Sequence, residues 1–184
     1  MDMEDIVRQT VEVLQRGGTI LYPTDTIWGV GCDARNTIAV EKLYDIKERD
    51  RSRSMLVLVR DSEFGIRSCE GRPTTYVLPR AIWHDKMRLA VADNLPAEDG
   101  SLGVRVPRHA FCQEVLRRLG APLVSTSANL SGRPSPLSYD EIEEALKLRV
   151  DYCVPPLPSF GSHESRGSRI VKIEPDGSET VIRP

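Results

Sequence analysis

Pro23 constrains this chain more than any other single residue. It closes the apolar run Thr19-Ile20-Leu21-Tyr22, which reads as a buried strand. Thr24-Asp25-Thr26 follow it, and then Gly29 and Gly31. Proline fixes φ and has no N–H to offer a sheet, so the strand must end there. The chain leaves the sheet and presents two hydroxyls and a carboxylate at its edge. Short polar side chains at a strand end suit a small-molecule site.

The rest of the chain alternates helix and strand signals. Ile6, Val7, Thr10, Val11, Val13 and Leu14 recur at helical spacing before a Gly17-Gly18 stop. A second helix opens at Asn36 or Thr37, uses Val40, Leu43 and Tyr44 as its apolar face, and ends near Lys47. Residues 55–59, 74–78, 102–106 and 122–125 are strand candidates. Between the last two, Val115, Leu116 and Leu119 mark a helix that Gly120 stops. Ser138-Tyr139-Asp140-Glu141 reads as a capping box, predicting a helix through Leu148. Residues 151–154 form a short strand. Residues 169–174 and 178–183 flank Pro175-Asp176-Gly177, a hairpin turn signal. Residues 155–168, polar and proline-bearing, read as a long functional loop. The pattern predicts an α/β fold, one domain over 1–184, on a twisted mixed sheet flanked by helices. A chain of 184 residues can bury the core this needs.

Charge and cysteines narrow the partners. Lys plus Arg number 25 against 27 Asp plus Glu, a formal net charge of −2. That balance predicts no bulk electrostatic attraction to nucleic acid, with a local basic patch the alternative. Every apolar run is short of bilayer-spanning length, so no membrane partner is expected. The acidic start Met1-Asp2-Met3-Glu4-Asp5 has no signal-peptide pattern, which places the chain in the cytoplasm. Cys32, Cys69, Cys112 and Cys153 lie far apart, with no C-x-x-C pair, and read as reduced thiols. With only three histidines they predict no protein-bound metal.

Several polar groups are candidates for chemistry. Lys47, Arg49, Arg51 and Arg53 alternate with other residues. On an extended segment all four share one side and make a cationic strip for phosphate oxygens. The plain alternative is a solvated charged loop. Ser125, Thr126, Ser127 and Asn129 follow the apolar Pro122-Leu123-Val124, at a strand's carboxyl end. Ligands sit there in open α/β sheets. Equally, such residues make turns that bond their own backbone. Gly29-Val30-Gly31-Cys32-Asp33-Ala34 matches G-x-G-x-x-A, but Pro23 breaks the strand before it and the next helix starts late. A dinucleotide site is therefore disfavoured. No P-loop sequence is present. His84, His109 and His163 show no relay spacing, and His109 reads as a helix-start residue. Asp25 is either a general base or a carboxylate that stabilises its turn, the second being favoured. Trp28 and Tyr44 read as core, with a purine pocket the alternative.

These segments together carry a resemblance. P-T-D-T at 23–26, Lys47-x-Arg49, Ser127-x-Asn129 and a closing Arg183-Pro184 occur in the order seen in the YrdC-like family of threonylcarbamoyl-AMP synthases. The chain resembles that family from about Gly17 to Pro184. The resemblance implies a concave ligand cleft and the ATP-dependent synthesis of threonylcarbamoyl-AMP from L-threonine and bicarbonate. Pyrophosphate leaves, and the product serves the t6A modification of tRNA through a downstream threonylcarbamoyl transferase machinery. By motif position, Thr26, Arg105, Ser125 and Ser168 would hold L-threonine, with Arg105 on its carboxylate. Arg49, Ser101, Ser127, Ser135 and Arg183 would contact ATP. Lys47, Arg49, Ser127 and Asn129 would form the catalytic set near the phosphates. Mg²⁺ would come with ATP.

The chain departs from the family at Asp50, where proline is usual, and at Arg53 and Leu58, where histidine or asparagine stands. Residues 59–71 are shorter than in the family, so a helix there is missing or truncated. Residues 81–97 are more elaborate. Three other readings remain: a sister branch of the fold without synthase activity, a carbamoyl-adenylate domain of hydrogenase maturation, and an RNA-binding module.

Overall fold

A computed structural model describes residues 1–50, 55–160 and 166–184. Arg51, Arg53 and His163 lie outside the described residues, as does part of the expected loop over 155–168.

Helix α1 (Met3–Gln15) starts where the Asp2 carboxylate accepts the Asp5 N–H at 2.9 Å. Strand β1 (Ile20–Tyr22) ends at Pro23, and β2 (Gly29–Gly31) returns antiparallel beside it. Helix α2 (Thr37–Lys47) is capped by Asn36, whose side chain accepts the Ala39 N–H at 3.0 Å. Then come β3 (Leu56–Leu58), β4 (Thr74–Leu78), α3 (Asp85–Ala90) and β5 (Leu102–Arg105). Helix α4 (Ala110–Leu119) begins after His109 and stops at Gly120. Strand β6 (Leu123–Ser127), α5 (Glu144–Lys147), β7 (Tyr152–Cys153) and the hairpin β8 (Arg169–Ile173) and β9 (Glu179–Arg183) complete the order.

The strands form one mixed sheet in the order β7-β1-β2-β6-β3-β5-β4-β8-β9. Side chains alternate between its faces. Ile20, Tyr22, Leu58 and Leu123 meet the apolar sides of α1 and α4 on one face. Leu21, Val30, Val57, Val104 and Val124 meet α2 and α3 on the other. Gly103, Arg105 and Ser125 sit on the first face by register and outside the cluster under those two helices, with Leu56 packed at its edge. That uncovered half becomes the cleft.

Two readings need correction. Gly29 to Gly31 form a strand, which glycine content hid and which also disposes of the dinucleotide turn. A Cβ on Gly31 would lie 2.0 Å from the Val124 carbonyl oxygen, and one on Gly29 would lie 3.2 Å from Ser125 Oγ. Glycine is there because Tyr22 and β6 approach too closely for a side chain. The helix expected from Ser138 is only α5. Tyr139 instead packs its ring 5.0 Å from that of Trp28, and Ile142 is buried, so core packing pulls 138–143 into an irregular turn. Glu141 accepts the Leu137 N–H at 2.8 Å rather than closing a capping box. Residues 59–71 carry one 3₁₀ turn, Glu63–Gly65, where the family's helix was expected to be missing or truncated. The elaborated segment 81–97 holds α3, with the 3₁₀ turn Arg80–Ile82 before it.

Candidate functional site

The cleft encloses about 400 Å³ over β2, β3, β4, β5 and β6. Thr26, Arg49, Arg105, Ser125, Ser127, Ser135, Ser168 and Arg183 all line it. Sequence separation does not prevent this, because β8 runs parallel to β4 and carries the chain's last hairpin to the cleft.

The turn after Pro23 is self-supporting. Thr24 Oγ1 donates to the Ile27 carbonyl at 2.7 Å and accepts the Thr26 N–H at 3.1 Å. The Asp25 carboxylate reaches beyond the turn. One of its oxygens meets Arg105 Nη1 at 2.5 Å, and the other accepts the Arg108 N–H at 3.0 Å. Arg105 is 3% exposed and Asp25 11%, so this is a nearly buried ion pair. Burial pushes the Asp25 carboxyl up, but the Arg105 charge and the two donors more than offset it, and its pKa lies below the usual carboxylate range. Arg105 Nη2 also reaches Thr26 Oγ1 at 3.4 Å, and its Nε is buried with no protein partner. Asp25 thus aims the guanidinium and leaves part of its donor set for a ligand. These contacts fit the favoured reading of Asp25 as a stabilising carboxylate.

On the opposite wall Ser168 Oγ pairs with Thr75 Oγ1 at 2.7 Å. Arg183 donates twice to the Ser168 carbonyl, at 2.9 and 2.6 Å. Burial and the neighbouring Arg72 charge lower the Arg183 pKa. Thr75, Gly103 and Gly167 line the cleft and were not singled out from sequence. Thr75 and Gly103 sat in ordinary strand patterns that carry no functional signal. Trp28, 3% exposed, serves both core and cleft. Tyr44 is core alone.

Three expected residues stand elsewhere. Ser101 precedes β5 and donates to Asp99 Oδ1 at 2.6 Å, outside the cleft. Lys47 is the last residue of α2 and 1% exposed. Its ammonium donates to the carbonyls of Ser127 and Asn129. Burial, with Arg49 nearby, lowers its pKa to about 7. Lys47 and Arg49 do not share one side of an extended segment, because Glu48 takes the left-handed conformation at φ 51, and the Arg51 and Arg53 part of the expected strip lies outside the described residues. Lys47 consequently faces inward while Arg49 faces the cleft. The Glu48 carboxylate is held by Arg149 Nη1 at 2.9 Å.

Ser127 and Asn129 do not share one side of an extended segment either. The Asn129 N–H bonds the Ser127 carbonyl at 2.9 Å, which folds the segment into a tight turn. Its amide donates to the carbonyls of Leu130 and Arg133, at 3.0 and 2.8 Å. Asn129→Ala removes both bonds. The expected loss is about 1–2 kcal/mol, or about 2–8 °C in a thermal melt. An unchanged melting temperature would show that the amide is not what holds the turn.

A concave sheet face carrying guanidinium groups among hydroxyls defines an α/β protein built to hold an anionic small molecule. The model of the Sua5/YciO/YrdC domain, described as "telomere recombination", matches residues 12–184. The chain belongs to that family. Threonylcarbamoyl-AMP synthase of Vibrio parahaemolyticus is 31% identical over 158 residues, covering 77% of this chain and 82% of the relative. The protein of that name from Xanthomonas campestris pv. campestris strain B100 is 35% identical over 150 residues, with coverage of 77% and 80%. Among solved structures, P. abyssi Sua5 complexed with L-threonine superposes with a TM-score of 0.79 at 20% identity. The whole chain is covered there, but it spans only 55% of that longer protein. E. coli YciO gives a TM-score of 0.74 at 23% identity, covering 99% of this chain and 89% of that one. Both likenesses speak to the fold.

Proposed function

We propose that this chain is an L-threonylcarbamoyladenylate synthase, a nucleotidyltransferase acting on ATP, L-threonine and bicarbonate. One observation carries the reading: a single cleft gathers Thr26, Arg105, Ser125 and Ser168 beside Arg49, Ser127, Ser135 and Arg183. The names of the bacterial relatives support it.

Arg105 holds the threonine carboxylate with the donors that Asp25 leaves open. Thr26, Ser125 and Ser168 offer hydroxyls to the amino acid's polar groups. Arg49 and Arg183 bring charge to the nucleotide, with Ser127 and Ser135 as neutral donors. The threonine amine attacks bicarbonate, water departs, and a carbamate forms. A carbamate oxygen then displaces pyrophosphate from the α-phosphorus of ATP. The step needs two anions brought together, so positioning and charge neutralisation do the work. Mg²⁺ would be held mainly by the phosphates of ATP, would neutralise part of their charge, and would need few protein ligands. The cleft's donor set of hydroxyls and guanidiniums suits phosphate oxygens rather than a cation, and Asp25 is already engaged by Arg105. The product, a mixed anhydride, passes to the transferase machinery that modifies tRNA. Direct tRNA contact is weak, given the net charge.

The test is pyrophosphate release with each substrate omitted in turn. Turnover is expected only with ATP, L-threonine and bicarbonate together. Equal turnover without threonine would sink the reading.

A further inference from the structure

We propose that Lys47 is a positioning residue for the nucleotide half of the cleft: it clamps the turn that presents Ser127 and, through Asn129, Ser135. The proposal deepens the synthase reading and rests on it for the identity of the ligand.

Lys47 does not line the cleft, and at 1% exposure its ammonium has no route to a phosphate held there. Its bonds run instead to the β6 turn. Nζ donates to the carbonyls of Ser127 and Asn129, on either side of Ala128. Its own carbonyl accepts the Ser131 N–H at 3.1 Å. One residue thus grips three points within five residues of chain.

What it grips matters for the ligand. Ser127 turns its side chain into the cleft. Asn129, fixed at its carbonyl by Lys47, spans to the Arg133 carbonyl and accepts from Ser135 Oγ at 3.5 Å. Ser135 is the next cleft residue along this loop. On the other side of Lys47, left-handed Glu48 swings the chain so that Arg49 enters the cleft. The lysine therefore sets the spacing between Arg49 and the Ser127–Ser135 wall. A flexible stem ending in a compact head with three donors can satisfy two converging carbonyls, which a planar guanidinium cannot do in the same space. Of the K-x-R pair, Arg49 alone meets the nucleotide.

A double-mutant cycle separates this role from a direct phosphate contact. The readout is affinity for a non-hydrolysable ATP analogue, with Lys47→Met, Ser127→Ala and the double variant. Each single change is expected to weaken analogue binding about tenfold. Because one acts through the other, the double variant should be no more than about twofold worse than the weaker single. Losses that multiply to about a hundredfold would mean independent contacts, and would overturn the proposal. L-Threonine affinity should stay within about twofold in Lys47→Met, since Arg105 and Ser168 lie off the clamp. Hydrogen exchange of the ligand-free proteins gives a second, separate readout. Amides of residues 127–131 should exchange faster in Lys47→Met, while those of β4 and β5 should not. Unchanged exchange at 127–131 would also overturn it. Should Lys47→Met fail to fold, Lys47→Gln keeps amide donors without charge, and the same cycle and exchange criteria apply to it. A wild-type protein without threonine- and bicarbonate-dependent pyrophosphate release would fail the synthase reading, whereas the exchange result bears on the clamp alone.

Discussion

Replacing Arg105 by methionine is expected to cost about 3–5 kcal/mol of stability, because it strands a charge that is nearly buried. Asp25 is 11% exposed and meets Arg105 Nη1 at 2.5 Å. With the guanidinium gone, backbone N–H donors such as that of Arg108 are left to serve that carboxylate. The pH dependence identifies the cause. In the wild type the Asp25 pKa is depressed, so its stabilisation is complete above the ordinary carboxylate value and lost as pH falls through the depressed one. In Arg105→Met, burial acts without the opposing charge and the carboxyl pKa rises instead. Its protonated form is then the tolerated one, and the deficit against wild type should begin to shrink as pH falls through that raised value and go on shrinking through the depressed wild-type one. Denaturant melts of both proteins between acid and neutral pH check this. A deficit that stays constant with pH would assign the loss to packing. The paired change Asp25→Asn with Arg105→Met should recover much of the stability but not threonine binding. Arg105→Lys keeps the charge but loses the fork, so threonine affinity should fall by about tenfold or more while ATP affinity changes little.

Gly31→Ala should be comparably severe for a different reason. The new Cβ would sit 2.0 Å from the Val124 carbonyl oxygen and 3.0 Å from the Tyr22 ring. Backbone on one side and a buried aromatic on the other leave nothing that can give way. Strands β2 and β6 must part in the middle of the sheet, and a loss of at least about 3 kcal/mol is expected. Gly29→Ala, two residues earlier on the same face, supplies the contrast. Its Cβ would meet Ser125 Oγ at 3.2 Å and the Thr126 carbonyl at 3.4 Å. A hydroxyl can rotate away, so the fold should survive while the KM for threonine rises. Chemical denaturation paired with threonine titration reads both variants. A normal melting curve for Gly31→Ala would show that the two strands are not packed as described.

Most of the sheet was legible because its strands are short apolar runs with sharp ends. Pro23 ended β1, and Pro175-Asp176-Gly177 turned β8 into β9. β2 was not legible, since Gly-Val-Gly has no strand propensity and exists to let Tyr22 pass. The helix expected from Ser138 failed because local capping chemistry lost to the burial of Tyr139 and Ile142. In the site, eight of the residues that the family resemblance implied, from Thr26 to Arg183, line one cleft. Side-chain direction was harder. Period-two reasoning holds within strands, where Arg105 shares a face with Gly103 and opposes that of Val104. It failed at Lys47–Arg49 and Ser127–Asn129, where the backbone turns at Glu48 and at Ala128. A left-handed glutamate has no sequence signature of its own, and here Arg149, a hundred residues away, secures it. Ser101 was misplaced for a simpler cause: an Asp99 two residues before it claims its hydroxyl.

The far wall of the cleft comes late in the chain. Gly167 and Ser168 reach it only once β8 has paired with β4, and Arg183 reaches it only once β9 has paired with β8. On the ribosome, α1, the strands through β6 and both helical layers emerge well before those residues do. The nascent chain can therefore build its core while it still lacks a complete binding site. Ligand cannot chaperone the early steps of folding. It can only reward the final one, the docking of a C-terminal hairpin whose outer strand is otherwise exposed at all five positions. Substrate-dependent protection of that hairpin from proteolysis would then report, in a crude extract, how much of the protein is loaded.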